Sequence, residues 1–218
     1  MKNTSLKVLL TAAVLTPVAV CAQPRPGNPT TATVITHQEI AKINASEQDK
    51  QTQDMNSKVV DIGDGWSMEL GVIHRASTRN PPPAPARGAN PQAAAEVPCG
   101  QQMANVPANA IKGAITHDNQ TEGYYIISGA GTAFIDGTLV NGRHSTSNPD
   151  GGPNGPGCGG GVAVGARKVN LTVGDVLIVP PGVIHGWSDI PDHVDYLSFR
   201  PSHGVMKNGW VNPIIASK

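Results

Sequence analysis

The chain has 218 residues, 39% of them hydrophobic and 4% aromatic, which is enough for one domain with a real core and hardly enough for two. Its 16 basic side chains balance 16 acidic ones. That balance suggests no nucleic-acid role, and the 25 glycines and 19 prolines go with short elements divided by turns.

The first segment, MKNTSLKVLLTAAVLTPVAVCAQ, sets Lys2 and Lys7 ahead of an apolar run from Val8 to Val20 that is too short for a membrane span. Residues 1–22 are therefore expected to be a secretory signal cut after Ala22, giving a secreted or periplasmic protein with no membrane span. The competing reading is a lipoprotein acylated at Cys21, against which Val20 is a large neighbour. The mature chain would carry 14 basic and 16 acidic groups, a net charge near −2. It would keep Cys99 and Cys158, an even pair in an oxidising compartment, and a disulfide between them is expected.

Residues 23–33 have the composition of a flexible leader. Thr36 and Glu39 then stand in the relation of a capping box, and Ile35 and Ile40 in that of a hydrophobic staple. A helix is predicted from there to about Ala45. Leader and helix together occupy residues 23–57, and residues 58–218 form the main domain.

From Lys58 the pattern changes to short β-prone runs: KVVDIG, WSMELGVIHRA, AITH, GYYIIS, GTAFIDGTLV, RKVNLTV, DVLIVP, VIHGW and VDYLSFR. Runs this short, with turn residues between them, predict an all-β sandwich or barrel. Asp136-Gly137 is a two-residue hairpin signal, and Gly174-Asp175 divides two further strands. Two stretches interrupt the pattern. Residues 80–98 are too proline-rich for a central strand, and residues 141–165 are glycine-rich and read as a long loop. A Cys99–Cys158 bridge would tie these two inserts together, as a lid over a barrel mouth or as decoration.

The segment GDVLIVPPGVIHGWSD, Gly174 to Asp189, spaces Gly174, Pro180, Gly182 and His185 in a fixed order, with Asp189 at its end. It resembles the second signature motif of the cupin superfamily, whose last position is usually asparagine. With that anchor, THDNQTEGYYIISG aligns to the first cupin motif through His117, Glu122 and Gly129. Ile115 stands where that motif has its first histidine, and Asn109 where it has its opening glycine. The resemblance covers about Lys58 to Arg200 and looks like a group of small secreted bacterial cupins. It implies a double-sheet jelly roll, to which the short N-terminal helix and the two long inserts are added, and a homodimer.

By the same resemblance His117, Glu122 and His185 would ligate a divalent transition metal. Two imidazoles and a carboxylate suit Fe, Mn, Cu, Ni or Zn, and leave coordination positions open. His74 alternates with Met68, Leu70 and Val72 and is a possible extra ligand if that set faces inward. Tyr125, or its neighbour Tyr124, and Tyr196 are candidate proton donors. Ile115 and Trp187 are candidate pocket walls, and Arg200 a holder of a substrate carboxylate. The expectation is a metal-dependent enzyme acting on a small organic molecule, oxygenase-type chemistry first and lyase or isomerase chemistry second. The rival from another class is a non-catalytic module binding a small ligand or sugar.

Overall fold

The computed structural model describes residues 25–47, 52–82, 97–145 and 155–216. The expected signal segment, with both cleavage readings, and most of the proline-rich insert lie outside the described residues. No helix among those described is long and apolar enough to cross a membrane.

The helix α1 (His37–Asn44) begins where the capping box put it. Thr36 accepts from the Glu39 N–H, and Glu39 accepts from the Thr36 N–H at 2.7 Å. That satisfies two of the donors left over in a first helical turn. Ile43 is fully buried, and Ala45 closes the helix.

Apart from a 3-10 turn (Ala45–Glu47) and a short helix α2 (Pro213–Ala216), the regular structure that follows is antiparallel β. The strands are β1 (Thr52–Gly63), β2 (Trp66–Ala76), β3 (Val97–Cys99), β4 (Ile111–His117), β5 (Glu122–Ile135) and β6 (Thr138–Val140). They continue with β7 (Gly142–Ser145), β8 (Gly157–Val164), β9 (Arg167–Thr172), β10 (Val176–Val179), β11 (His185–Asp189) and β12 (His193–His203). One sheet runs in the order β1-β2-β12-β5-β11-β4-β8-β7-β3, with β9 and β10 attached to β5 and β6 to β8. Strand β5 joins the two halves: its first residues pair with β10 and β12, its last with β9 and β11. The all-β expectation holds.

Three expectations need correction. Strand β1 starts at Thr52, not at Lys58, because its polar residues are buried with partners. Gln53 donates to the Ile43 carbonyl at 2.8 Å and Ser57 to that of Leu70 at 2.9 Å, so polarity there does not mean exposure. The glycine-rich segment is not one long loop, since β7 and β8 lie within it. Its glycines permit close approach of backbones: a Cβ on Gly161 would meet the Val140 carbonyl oxygen at 2.5 Å. Asp136 and Gly137 do form a tight turn with φ of 67° and 85°, yet β6 leaves it to pair with β8. Gly174 and Asp175 divide β9 from β10 as expected.

Cys99 and Cys158 are disulfide-paired with Cα atoms 6.0 Å apart. Both are on strands, β3 and β8, so the bridge staples strand to strand and not loop to loop. A bonded pair fits an oxidising compartment. The largest apolar cluster includes Ile73, Tyr124, Ile126, Val194 and Tyr196, from β2, β5 and β12. The same strand faces carry the polar residues described next.

Candidate metal centre

Period-two alternation on β5 puts Glu122, Tyr124 and Ile126 on one buried face. Register brings two more strands to that face. On β11, His185 lies opposite Ile115 of β4 and Ile135 of β5. On β4, His117 is two residues beyond Ile115 and so shares its side. The turn before β11 is pinned by the Gly182 N–H, which donates to the His117 carbonyl at 2.7 Å. Gly182 has φ 76°, which favours glycine at that turn.

The result is a buried cluster of His117, Glu122 and His185 whose nitrogen and oxygen atoms all lie within 4.8 Å of one another. Glu122 Oε2 is 3.2 Å from His117 Nε2 and 3.0 Å from His185 Nε2. The His185 tautomer follows from its other nitrogen. Nδ1 lies 3.0 Å from the Val183 carbonyl, which only accepts, so Nδ1 carries the proton. With the proton on Nδ1 alone, the Nε2 lone pair faces a carboxylate oxygen 3.0 Å away, and Nε2 has no aligned hydrogen bond although it is buried.

Two lone pairs facing each other in a dry interior are repulsive unless a cation lies between them. The donor spacing suits that cation. Two ligand atoms about 2.1 Å from one ion and about 90° apart stand about 3.0 Å from each other. The three side chains therefore fit a divalent metal, with the orphaned Nε2 as the direct sign. Hydrogen bonding of the opposite imidazole nitrogen to a carbonyl is also how metal-binding histidines are oriented.

Glu122 is held by a second layer. Its Oε1 accepts from Ser198 at 2.9 Å and from Arg200 at 2.7 and 3.1 Å, and its Oε2 accepts from the Tyr124 hydroxyl at 3.1 Å. Burial alone would raise its pKa, but the Arg200 guanidinium, aided by the His117 hydrogen bond, holds it well below the usual carboxylate range. Arg200 is fully buried and also pairs with Asp54 at 2.9 Å. Gly71, beside it on β2, makes room: a Cβ there would sit 3.1 Å from Arg200 Nη1. Burial, with the Glu122 charge added, raises the Tyr124 phenol well above its ordinary pKa, so its proton stays on oxygen.

A cavity of about 190 Å³ adjoins the cluster, lined among others by Arg75, Ile115, Tyr124, His185 and Trp187. Ile115 and Trp187 are among its wall residues. Tyr196 is buried beside it, its hydroxyl accepting from Arg75 Nε at 3.3 Å and from Trp187 Nε1 at 3.4 Å.

Other sequence candidates are placed elsewhere. Tyr125 is 43% exposed on the opposite face of β5, where it lines an apolar recess with Val176, Ile178 and Phe199. Tyr124 is the inward tyrosine, and the parity of Glu122 was the signal that would have chosen it. His74 is not in the cluster: its Nδ1 is 2.6 Å from Asp195 Oδ1, and Asn44 of α1 holds the other oxygen at 3.0 Å. It does share a face with Met68, Leu70 and Val72, but it is the face that α1 and the N-terminal segment cover. Arg200 is committed to Glu122 and Asp54 and does not line the cavity. Sequence reasoning missed Asp54, Glu69, Arg75 and Ser198, all ordinary-looking polar residues in strands.

No protein-family model matches the chain, and no curated protein matches it. Among solved structures it is similar to Peruvianin-I, a cysteine peptidase from Thevetia peruviana latex. The two share 12% identity with a TM-score of 0.35, over 82% of this chain and 80% of that one. A likeness that low carries no argument about fold or activity.

Proposed function

We propose that the protein is a secreted, single-domain cupin with a double-sheet jelly roll, and that His117, Glu122 and His185 hold a divalent metal used in oxygenase-type chemistry on a small organic molecule. The observation that carries this reading is the buried His185 Nε2, unbonded and aimed at Glu122 Oε2. Two imidazoles and a carboxylate leave positions open on an ion, as catalysis requires. Once bound, a redox-active ion would supply oxidation chemistry and a zinc ion Lewis acidity.

The chain's own residues supply the rest. Arg200 and Ser198 fix Glu122 in its ionised form, and Ile115 and Trp187 keep water low around the open side. The Tyr124 hydroxyl keeps a proton 3.1 Å from Glu122 Oε2, at the cavity wall. That proton favours a second reading, lyase or isomerase chemistry, in which Tyr124 returns a proton to the substrate. A homodimer is part of the proposal.

Oxygen uptake during turnover tests the first reading. Protein loaded with Fe(II) or Cu(II) is screened against small organic acids and alcohols, alongside His117→Ala, Glu122→Ala and His185→Ala. Uptake abolished in the three variants is the expected result. Uptake at the parent rate in all three would end the proposal, and turnover without uptake that Tyr124→Phe removes would favour the second reading.

A further inference from the structure

Arg75 projects from β2 onto the cavity that contains His185. Its surroundings are unusual for a half-buried guanidinium. Nε donates to the Tyr196 hydroxyl and Nη1 to the Thr52 hydroxyl, both at 3.3 Å and both neutral acceptors. Among the described residues no carboxylate stands within ion-pair distance of it. The other buried arginine on this side of the sheet, Arg200, is matched by Asp54 and Glu122. Burial opposes the charge of Arg75, yet a guanidinium keeps its proton there, with the Asp54 charge in its favour.

Little else on the walls answers it: Ile115, Ile190 and Trp187 are apolar, and Thr52 and Thr78 carry no charge. A cation so placed is costly to bury and gains most from an incoming anion. The planar fork of arginine matches a carboxylate with two parallel hydrogen bonds. The volume, about 190 Å³, falls below the roughly 300–1,000 Å³ of sites for drug-sized ligands. A short molecule is required, one end on Arg75 and the other toward His185.

We propose that Arg75 is the anchor for the carboxylate of a short organic acid, and that this acid is the substrate class of the cavity. Its role as substrate rests on the metal-centre reading, whereas binding of the acid rests on Arg75 and the cavity alone. Arg75 is a specificity residue in this assignment.

The test is a titration of the full-length mature protein, followed by NMR at the Trp187 indole N–H. Acetate, pyruvate and oxalate are compared with acetamide, oxamide and inorganic phosphate, on metal-free and zinc-loaded protein. Metal per chain is measured on the same samples. The carboxylates should bind at least 10-fold more tightly than the amides. Arg75→Met should lower their affinity by about 10- to 100-fold with zinc content unchanged, and Arg75→Lys should keep part of it.

Equal affinity for acids and amides in the parent would overturn the proposal whether or not the variant folds. So would parent-like carboxylate binding in Arg75→Met, or phosphate binding as tight as any carboxylate. If the parent takes up no zinc yet binds carboxylates through Arg75, the metal-centre reading fails and the anchor stands.

Discussion

Glu69 lies on β2 opposite Arg200 and is fully buried. Its Oε1 accepts from Gln120 at 2.9 Å and Ser202 at 3.2 Å, and its Oε2 from Asn56 at 3.4 Å. Desolvation outweighs both these bonds and the Arg200 charge, and pushes the carboxyl from 4.5 up to about 7. Between those two pH values the folded state binds the proton that the unfolded state has released. Stability from this group is therefore complete below about pH 4.5 and is lost as pH rises to about 7. A shift of that size corresponds to about 3 kcal/mol, of which about 2 to 3 kcal/mol falls between pH 5 and pH 8. Glu69→Gln keeps a neutral group of the same shape and removes the titration. Urea unfolding of parent and variant across that range should show the variant gaining about 2 to 3 kcal/mol on the parent as pH rises. A difference that stays constant within about 0.5 kcal/mol would refute the reasoning.

Arg200→Met leaves Glu122 and Asp54 buried without their cation and should cost about 3–5 kcal/mol in urea unfolding, with much of the loss recovered by adding Glu122→Gln. Replacing Cys99 and Cys158 by serine opens a link across a separation of 59 residues. The chain-entropy estimate for that loop is roughly 4 kcal/mol, measured by the same unfolding assay, and the denatured, unreduced parent should show no thiol from either residue.

The GDVLIVPPGVIHGW segment made much of the site readable, because a turn built from Pro180 and Gly182 and an inward residue three places on are local properties of the chain. Glu122 and His117 were reached through the motif resemblance that this segment anchored. What was not readable depends on which side of a strand faces which layer. Strand β2 is buried on both faces, so the apolar set Met68, Leu70 and Val72 gave the wrong inward face for His74, while the polar set Glu69 and Arg75 faces the site. The tyrosine choice had a local cue: Tyr124 shares the parity of Glu122, and Tyr125 does not. Gly157 and Gly161 looked like loop and are strand, since what requires them is close backbone approach: a Cβ would run into the Thr116 carbonyl of β4 at Gly157 and the Val140 carbonyl of β6 at Gly161. Likewise the polar start of β1 is buried by partners that only the folded chain supplies.

The central claim is that His117, Glu122 and His185 hold one divalent ion. The most direct measurement is elemental analysis of tag-free protein, beside His117→Ala and His185→Ala, each checked for folding by circular dichroism. The expected result is close to one transition-metal ion per parent chain and next to none in the two variants. A folded parent that stays metal-free after reconstitution with Fe(II), Mn(II), Cu(II), Ni(II) and Zn(II) would contradict it.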